Sequence, residues 1–413
     1  MTRRGTNLPR MGDYNQAVVL DLVRRSAEGL SRAQIARRAG LSAQTISNIT
    51  ARLVADGTLL EVGARTTVGL GRPGTVLTVD PDSNYAVGVH VDPALVTCVL
   101  VDMAGVIRAR AVHRPGPEPV PADAARRIAS LVLEVMRAAK VKRESVLGVG
   151  VVTPGPIDLQ QGLILSPPNL PHWDRVPLRD LVSEATGMPT LLDKDTNASA
   201  FAHVWFPAAG ASDSYVFVYL GTGIGMSTVL ANEVVRGRTG NAGDVGSLLV
   251  GHEGRADPRG RVGTLGQLAQ ASVVLDEAIA SGALDGYECD GDSADGIMAA
   301  FRELGDRADL GDERAAGAIR ALTLRMIKGA RDFAHLLEID QIILGGPLWT
   351  ILPTSELVAA QEYVDAQEQE GRIWAMRVAT SPWGDEVAAV GAASIVLEQA
   401  FAPRPANLLL DGR

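Results

Sequence analysis

Residues 214–230 read "SYVFVYLGTGIGMSTVL": two apolar, strand-like runs held apart only by the glycine turn "GTG". Such a turn brings backbone amides close together and could wrap a phosphate. A related opening stands earlier in the chain. There "NYAVGVHV", "LVTCVLVD" and "GVIRARAVH" predict three consecutive antiparallel strands. An amphipathic helix follows at "ADAARRIASLVLEVMRAAK", then a buried strand at "SVLGVGVV" and a strand-to-helix passage at "MPTLLDKDTNASAFAHVWF". Beyond the glycine turn, "ERAAGAIRALTLRMIKGARDFAHLLE" predicts a long helix and "DQIILGG" a strand. Strands alternating with helices are the pattern of α/β layers. Two lobes that each open on successive strands predict a duplicated, two-lobed, actin-like (ribonuclease H-like) body around a central cleft. The expected spans are 81–200 for the first lobe and 201–386 for the second, which would carry a dimerisation surface. A C-terminal helix over 387–402 is expected to return to the first lobe. A hydrophobic content of 46% over 413 residues can fill such cores.

Residues 1–80 follow another pattern. "NQAVVLDLVRRSAEG" carries Val18, Val19, Leu22 and Val23 at helical spacing. "LSRAQIARRAG" starts at the N-cap candidate Ser31, buries Ile35, Ala36 and Ala39, and closes on Gly40. "LSAQTISNITARLVADG" then starts at Ser42, with Ile46, Ile49, Leu53 and Val54 facing inward. Two short helices joined at "GLS" have helix-turn-helix spacing. Ala43, Gln44, Thr45, Ser47, Asn48 and Arg52 face outward. Gln and Asn can bond adenine edges, and Ser and Thr can bond bases or phosphates. Two β-prone runs in "GTLLEVGARTTVGLGRPGTVLTVD" flank a tip rich in Gly and Arg, a wing that would bring Arg65 and Arg72 to phosphate or the minor groove. The expected partner is a double-stranded DNA operator, touched by these residues and by Ser42.

Charge supports this division. Residues 1–80 hold eleven Arg, no Lys and six acidic residues, a balance of +5, while the remainder stands at −14. A basic head on an acidic body suits a polyanion-binding module on a body that repels polyanions. Only Cys98 and Cys289 occur, too few for a disulfide framework or a thiolate zinc cage. No apolar run approaches the ~18 residues of a membrane span, and no signal-peptide core follows the N-terminus. A cytoplasmic protein without membrane contact is expected.

A winged helix-turn-helix followed in order by "TPGPID", "SPPNLPHW", "LLDKDTNASA", "LGTGIGM", "GNAGDVGSLLV" and "IILGGPL" resembles the ROK family, which takes in repressors, sugar kinases and uncharacterised reading frames. The resemblance runs from about residue 15 to the C-terminus and is closest in kind to the family's xylose- and N-acetylglucosamine-repressor-like members. It implies a kinase cleft with two phosphate loops. The second loop matches Gly221, Thr222, Gly223 and Gly225. The first, D-x-G-G-T in the family, is "GVHVDPAL" here, with His90 in the aspartate's place and Asp92, Pro93 and Ala94 in the following positions. Proline removes an N–H donor, and a carboxylate repels phosphate. Gly88 is left to shape a tight turn between two strands.

The resemblance places the kinases' general base at Asp195, with Lys194 where the family's sugar-contacting asparagine stands. Asp195 then serves as a helix N-cap or as an effector hydrogen-bond partner. At the family's zinc positions stand Ser247, Asp257, Arg259 and Thr264, which offer no His or thiolate donor, so no metal is expected. Asn169 is retained from the sugar site, Asp244 replaces a glutamate and Gly266 replaces another. The expected effector set is Asn169, Lys194, Asp195, Gly223 and Asp244, the effector being a sugar or sugar derivative, with no cofactor. The chain is thus expected to be a regulator, most simply a repressor, of carbohydrate-related or secondary-metabolism genes. It would be a homodimer or homotetramer without enzymatic activity. A sugar kinase with an appended head and a ligand-independent DNA-binding protein stand as the alternatives.

Overall fold

The computed structural model describes residues 8–26, 28–65, 74–116, 120–167, 170, 172–208, 210–221, 223–251, 261–288, 293–367 and 374–402. The chain opens with helix α1 (Leu8–Arg24), strand β1 (Leu30–Ser31) and helices α2 (Arg32–Ala39) and α3 (Ala43–Ala55), followed by strands β2 (Leu59–Arg65) and β3 (Gly74–Val79). The strands form an antiparallel sheet in the order β1-β3-β2. Ser31 starts α2 through a reciprocal capping box with Gln34, and Gly40 ends it in the left-handed conformation. Ser42 starts α3, its Oγ accepting from the Thr45 amide at 3.1 Å. Val19, Leu20, Val23, Ile35, Ile46, Leu53 and Leu77 close one small core among these elements. Leu20 lies in it, whereas the expected Leu22 packs only at its margin.

Two larger sheets follow. The first lobe holds β4 (Tyr85–Val91), β5 (Val96–Asp102), β6 (Ile107–His113), helix α4 (Pro121–Ala138) and β7 (Val146–Thr153). It continues through the small sheet of β8 (Ile157–Asp158), β9 (Leu163–Leu165) and β10 (Asp174–Val176) to α5 (Leu178–Thr186), β11 (Thr190–Lys194) and α6 (Asp195–Trp205). The second lobe holds β12 (Tyr215–Leu220), β13 (Ile224–Leu230), β14 (Glu233–Val234), α7 (Leu265–Leu268), α8 (Ala271–Ala280), α9 (Ala294–Asp309), α10 (Glu313–Leu336), β15 (Gln341–Gly345), α11 (Ser355–Ala366) and β16 (Arg377–Thr380), and α12 (Val387–Phe401) then returns to the sheet of the first lobe.

The sheet orders are β11-β7-β4-β5-β6 and β14-β13-β12-β15-β16. In each, the opening strand pairs antiparallel with the next strand and parallel with the fourth of its sheet, which pairs parallel with the fifth. One topology is therefore used twice, as the repeated strand pattern anticipates. Helix α6 runs unbroken through residue 200, the position at which the sequence pattern divides the lobes.

Helix α12 is almost wholly buried and packs on β4, β7 and α6. Its contacts are made through glycines. A Cβ on Gly88 would lie 1.8 Å from the Ala389 carbonyl oxygen, and one on Gly150 would lie 1.8 Å from that of Ala392. One on Gly391 would lie 2.0 Å from the Ala198 carbonyl oxygen. This corrects the expectation for Gly88. It sits inside β4 and lets a helix backbone touch the sheet, rather than shaping a turn.

Head and body meet at the end of α6. The buried Arg24 of α1 donates to the Trp205 carbonyl and to Asp21, and its guanidinium lies 3.9 Å from the Trp205 ring centroid. Burial pulls its pKa down to about 10, so it remains charged at neutral pH. Arg25 donates to Asn232 Oδ1 at 3.1 Å, and Phe401 of α12 packs against the head's core.

Candidate functional site

Between the lobes lies a cleft of about 440 Å³. The first lobe contributes Asp92, Pro93, Gly155, Lys194, Asp195 and Thr196, and the second contributes Tyr219, Gly223, Gly225, Asn241, Asp244 and Gly266. Sequence-expected Lys194, Asp195, Gly223 and Asp244 thus come together on one cavity, and Asn169 lies outside the described residues. Asn241 ties the walls: it accepts from the Ile157 amide at 2.7 Å and donates to the Ile157 carbonyl at 2.8 Å. Arg236 adds a second tie, donating to Asp193 Oδ2 at 3.0 Å. Gly243 has φ 88°, and a Cβ there would meet the Met226 carbonyl oxygen at 1.8 Å, so only glycine lets this loop lie on β13.

The cleft floor is buried and polar. Lys194 is the N-cap of α6 and Asp195 its first residue, so of the two roles open to Asp195 the helix cap is not the one it fills. Its Oδ1 accepts from the Thr196 amide at 2.6 Å, and its Oδ2 lies 3.9 Å from His90 Nε2. Burial holds His90 neutral, its pKa falling to about 4. Burial also raises Asp92 to about 7, assisted by the Asp195 charge, although its Oδ1 accepts from the Ala94 amide at 2.9 Å. Asp195 is raised as well, by burial above all. The Tyr219 phenol is driven well above its ordinary range by burial, with the Asp92 and Asp195 charges adding to the shift. His90 Nε2, Thr196 Oγ1 and Tyr219 Oη are buried without a hydrogen-bond partner. A groove of this make-up can hold a polar small molecule. Tyr219 escaped the sequence reading because "SYVFVYL" shows no polar alternation, and Asn241 because its bonds span 84 residues.

On the head, Ser42, Ala43, Gln44, Ser47, Asn48 and Arg52 are exposed along one side of α3, above the buried Ile46, Ile49 and Leu53. Gln44 Nε2 donates to Asn48 Oδ1 at 3.0 Å, and Arg52 bonds Gln16 of α1. Thr45 departs from the expected outward set. It is half-buried, and its Oγ1 lies 2.8 Å from the capping Ser42 Oγ. Arg65 is the last residue of β2, and Arg72 lies outside the described residues.

The residues at the family's zinc positions do not fit that metal. Ser247 is exposed, and the Thr264 hydroxyl caps α7 in a capping box with Gln267. Asp257 and Arg259 lie outside the described residues. A hydroxyl engaged in a helix cap is not a thiolate, and among the described residues no cluster of His, Cys, Asp or Glu could hold a metal ion. No helix among the described residues is long and apolar enough to cross a membrane.

Residues 86–399 match the model of the ROK family. The chain is 27% identical over 248 residues to the xylose repressor of Caldicellulosiruptor bescii, covering 60% of this chain and 61% of the relative. It is 30% identical over 285 residues to the glucokinase of Thermotoga maritima, covering 67% of this chain and 86% of the relative. The chain spans about three fifths of the length of the xylose repressors it matches. Among solved structures, that of a ROK family transcriptional regulator, a homologue of the E. coli MLC protein, superposes with a TM-score of 0.73 at 22% identity. It covers 97% of this chain and 98% of its own. That likeness shows a shared fold along nearly the whole chain.

Proposed function

This chain belongs to the ROK family, and from that premise we propose that it is a DNA-binding transcriptional repressor whose kinase-like body serves as an effector-binding domain. The observation that carries the proposal is α3. It follows α2 at helix-turn-helix spacing, rests on an apolar core, and presents Gln44, Ser47, Asn48 and Arg52 to solvent. These are side chains that read base edges and phosphates in the major groove. The strands β2 and β3 make the arms of a wing beside it. Xylose repressors among the relatives support a role in carbohydrate-linked gene control. The body carries no enzymatic activity in this reading, because buried, neutral His90 and Pro93 stand where phosphoryl transfer needs a metal-binding carboxylate and backbone donors. The regulator acts in the cytoplasm as a homodimer, or as a homotetramer built of dimers, so that two heads read paired half-sites about one helical turn apart. An effector in the cleft, among Lys194, Asp195, Gly223 and Asp244, changes lobe closure and with it the spacing of the heads.

Selection of bound duplexes from a random DNA pool by the full chain tests this. A repeated, two-fold-symmetric motif bound at nanomolar concentration is the expected result. Recovery of no motif removes the repressor reading. Turnover of ATP with D-glucose or D-xylose restores the kinase reading, which the glucokinase relatives keep distinct.

A further inference from the structure

We propose that the cleft floor is a subsite for a ligand carrying a protonated amine among its hydroxyls, the ammonium lying between Asp92 and Asp195 with Tyr219 and Thr196 as neutral partners. The inference rests on the cleft being the effector site and names the chemistry of that effector.

Strand geometry assembles the subsite. Side chains alternate along a strand, so Gly88 and His90 share one face of β4, and Asp92 follows directly after the strand's last residue, Val91. Asp92 lines the cleft, and His90 lies behind it, its Nε2 3.9 Å from Asp195 Oδ2. From α6 come Asp195 and Thr196, and from β12 comes Tyr219, whose ring meets that of His90 edge-on at 6.2 Å. Three polar atoms of this group, His90 Nε2, Thr196 Oγ1 and Tyr219 Oη, are buried and unpartnered. Native interiors rarely leave such atoms unpaired, and two of them, Thr196 Oγ1 and Tyr219 Oη, belong to residues that line the cavity, which points to a bound group.

Charge selects what that group is. Among the described residues, three carboxylates line the cleft, Asp92, Asp195 and Asp244, against one cation, Lys194. Lys194 is already engaged, its Nζ donating to the Ala242 carbonyl at 3.3 Å. Among the described residues, Asp92 accepts from the backbone amides of Ala94 and Leu95, and no cation pairs with it. A phosphate would face two carboxylates, which repel it. A neutral hydroxyl would answer Tyr219 and Thr196 yet leave a buried carboxylate without countercharge. An ammonium brings three donors and the missing charge, and the tyrosine ring adds a favourable electrostatic face.

Calorimetry on the full chain without DNA, at pH 7, tests this with four probes that share one ring: D-glucosamine, D-glucose, N-acetyl-D-glucosamine and D-glucose 6-phosphate. D-glucosamine is expected to bind at least about 10-fold more tightly than D-glucose, from the countercharge it brings to a desolvated carboxylate. Acetylation, which removes the charge, should erase that gain, and the phosphate ester should bind worst. In Asp92→Asn the preference for the amine over D-glucose should vanish. In Tyr219→Phe both probes should weaken together. D-glucose binding as tightly as D-glucosamine, the phosphate ester binding best, or no D-glucosamine binding at millimolar concentration would each overturn the inference. The repressor reading is scored separately, by binding of the selected duplex without any sugar. Intact duplex binding without amine preference sinks the subsite alone, and amine preference without duplex binding sinks the repressor alone.

Discussion

The head and the cleft hold their polar groups in opposite ways. Helix α3 carries Gln44, Ser47 and Asn48 in water and rests on Ile46, Ile49 and Leu53, with the one buried hydroxyl of α3, on Thr50, bonded to the Ile46 carbonyl. The cleft buries His90, Asp195, Thr196 and Tyr219, and its support is backbone touching backbone at Gly88, Gly150 and Gly391. Exposed groups on an apolar support can change without disturbing the fold. Buried polar groups are part of the fold's own energetics, because each lost contact leaves another group unsatisfied. The two regions share one joint, where Arg24 of the head meets the end of the helix that starts in the cleft.

The sharpest way to break this contrast is to crowd the support of the cleft. Gly88→Val sets side-chain carbon where the Ala389 carbonyl oxygen lies 1.8 Å from an ideal Cβ. Helix α12 must leave the sheet or the strand must bend, and rigid backbone offers neither relief cheaply. A loss of more than about 4 kcal/mol is expected, enough to leave the body unfolded, read by circular dichroism and urea titration. A variant that melts near the parent would show that α12 is not held by backbone contact.

Arg24→Ala attacks the joint. The change removes a buried cation that bonds the Trp205 carbonyl and stacks on its ring, while Asp21 keeps Arg25 at 2.9 Å. A loss of about 2–3 kcal/mol is expected, a buried charge-assisted bond and its stacking together. Calorimetric melting of the variant should separate into a head and a body transition. A single, unshifted transition would mean that the joint carries no coupling.

Much of this arrangement was legible beforehand, and the rest was not, for a physical reason. Helices α2 and α3 were readable because capping residues and 3.6-residue periodicity are local signals, and both caps are present at Ser31 and Ser42. The four described effector candidates were readable through motif positions, and they meet on one cavity. Gly88 was misread because a glycine's sequence neighbours do not reveal whether a turn or a packed helix needs it. Asp195 was misplaced by one residue at a helix start, where Lys194 is the cap. The joint was invisible because Arg24 and Trp205 stand 181 residues apart. The orphan hydroxyl of Tyr219 lies in a strand that shows no polar alternation, and the unpaired ring nitrogen of His90 depends on packing the sequence does not show.

A pH series sharpens the contrast at the cleft. Asp92 has its folded pKa raised to about 7, so protons bind the folded state more tightly than the unfolded one. Its stability contribution is complete below the unfolded value, near 4, and is lost as pH rises through 7. His90 and His203 run the other way. Burial depresses them to about 4 and about 3, and their contribution is present above 6.5 and lost as pH falls. Comparing Asp92→Asn with the parent cancels the histidines. The two should be equally stable near pH 4, with the variant ahead by about 2–4 kcal/mol at pH 8. A gap that does not vary with pH would place Asp92 in water.

The smallest effect on stability belongs to the head, and it should accompany a large effect on binding. Gln44 and Asn48 are exposed, and their mutual hydrogen bond of 3.0 Å is an i, i+4 contact worth a few tenths of a kcal/mol. Gln44→Ala and Asn48→Ala should each leave unfolding free energy within about 0.5 kcal/mol of the parent, because Ile46, Ile49 and Leu53 beneath them are untouched. On the selected duplex, each should weaken binding by about 1–3 kcal/mol and relax the base preference at one position per half-site. Fluorescence anisotropy with duplexes altered at single positions measures both. Affinity that falls together with melting temperature would show that the recognition face is part of the head's support. Unchanged affinity in both variants would take α3 out of the groove.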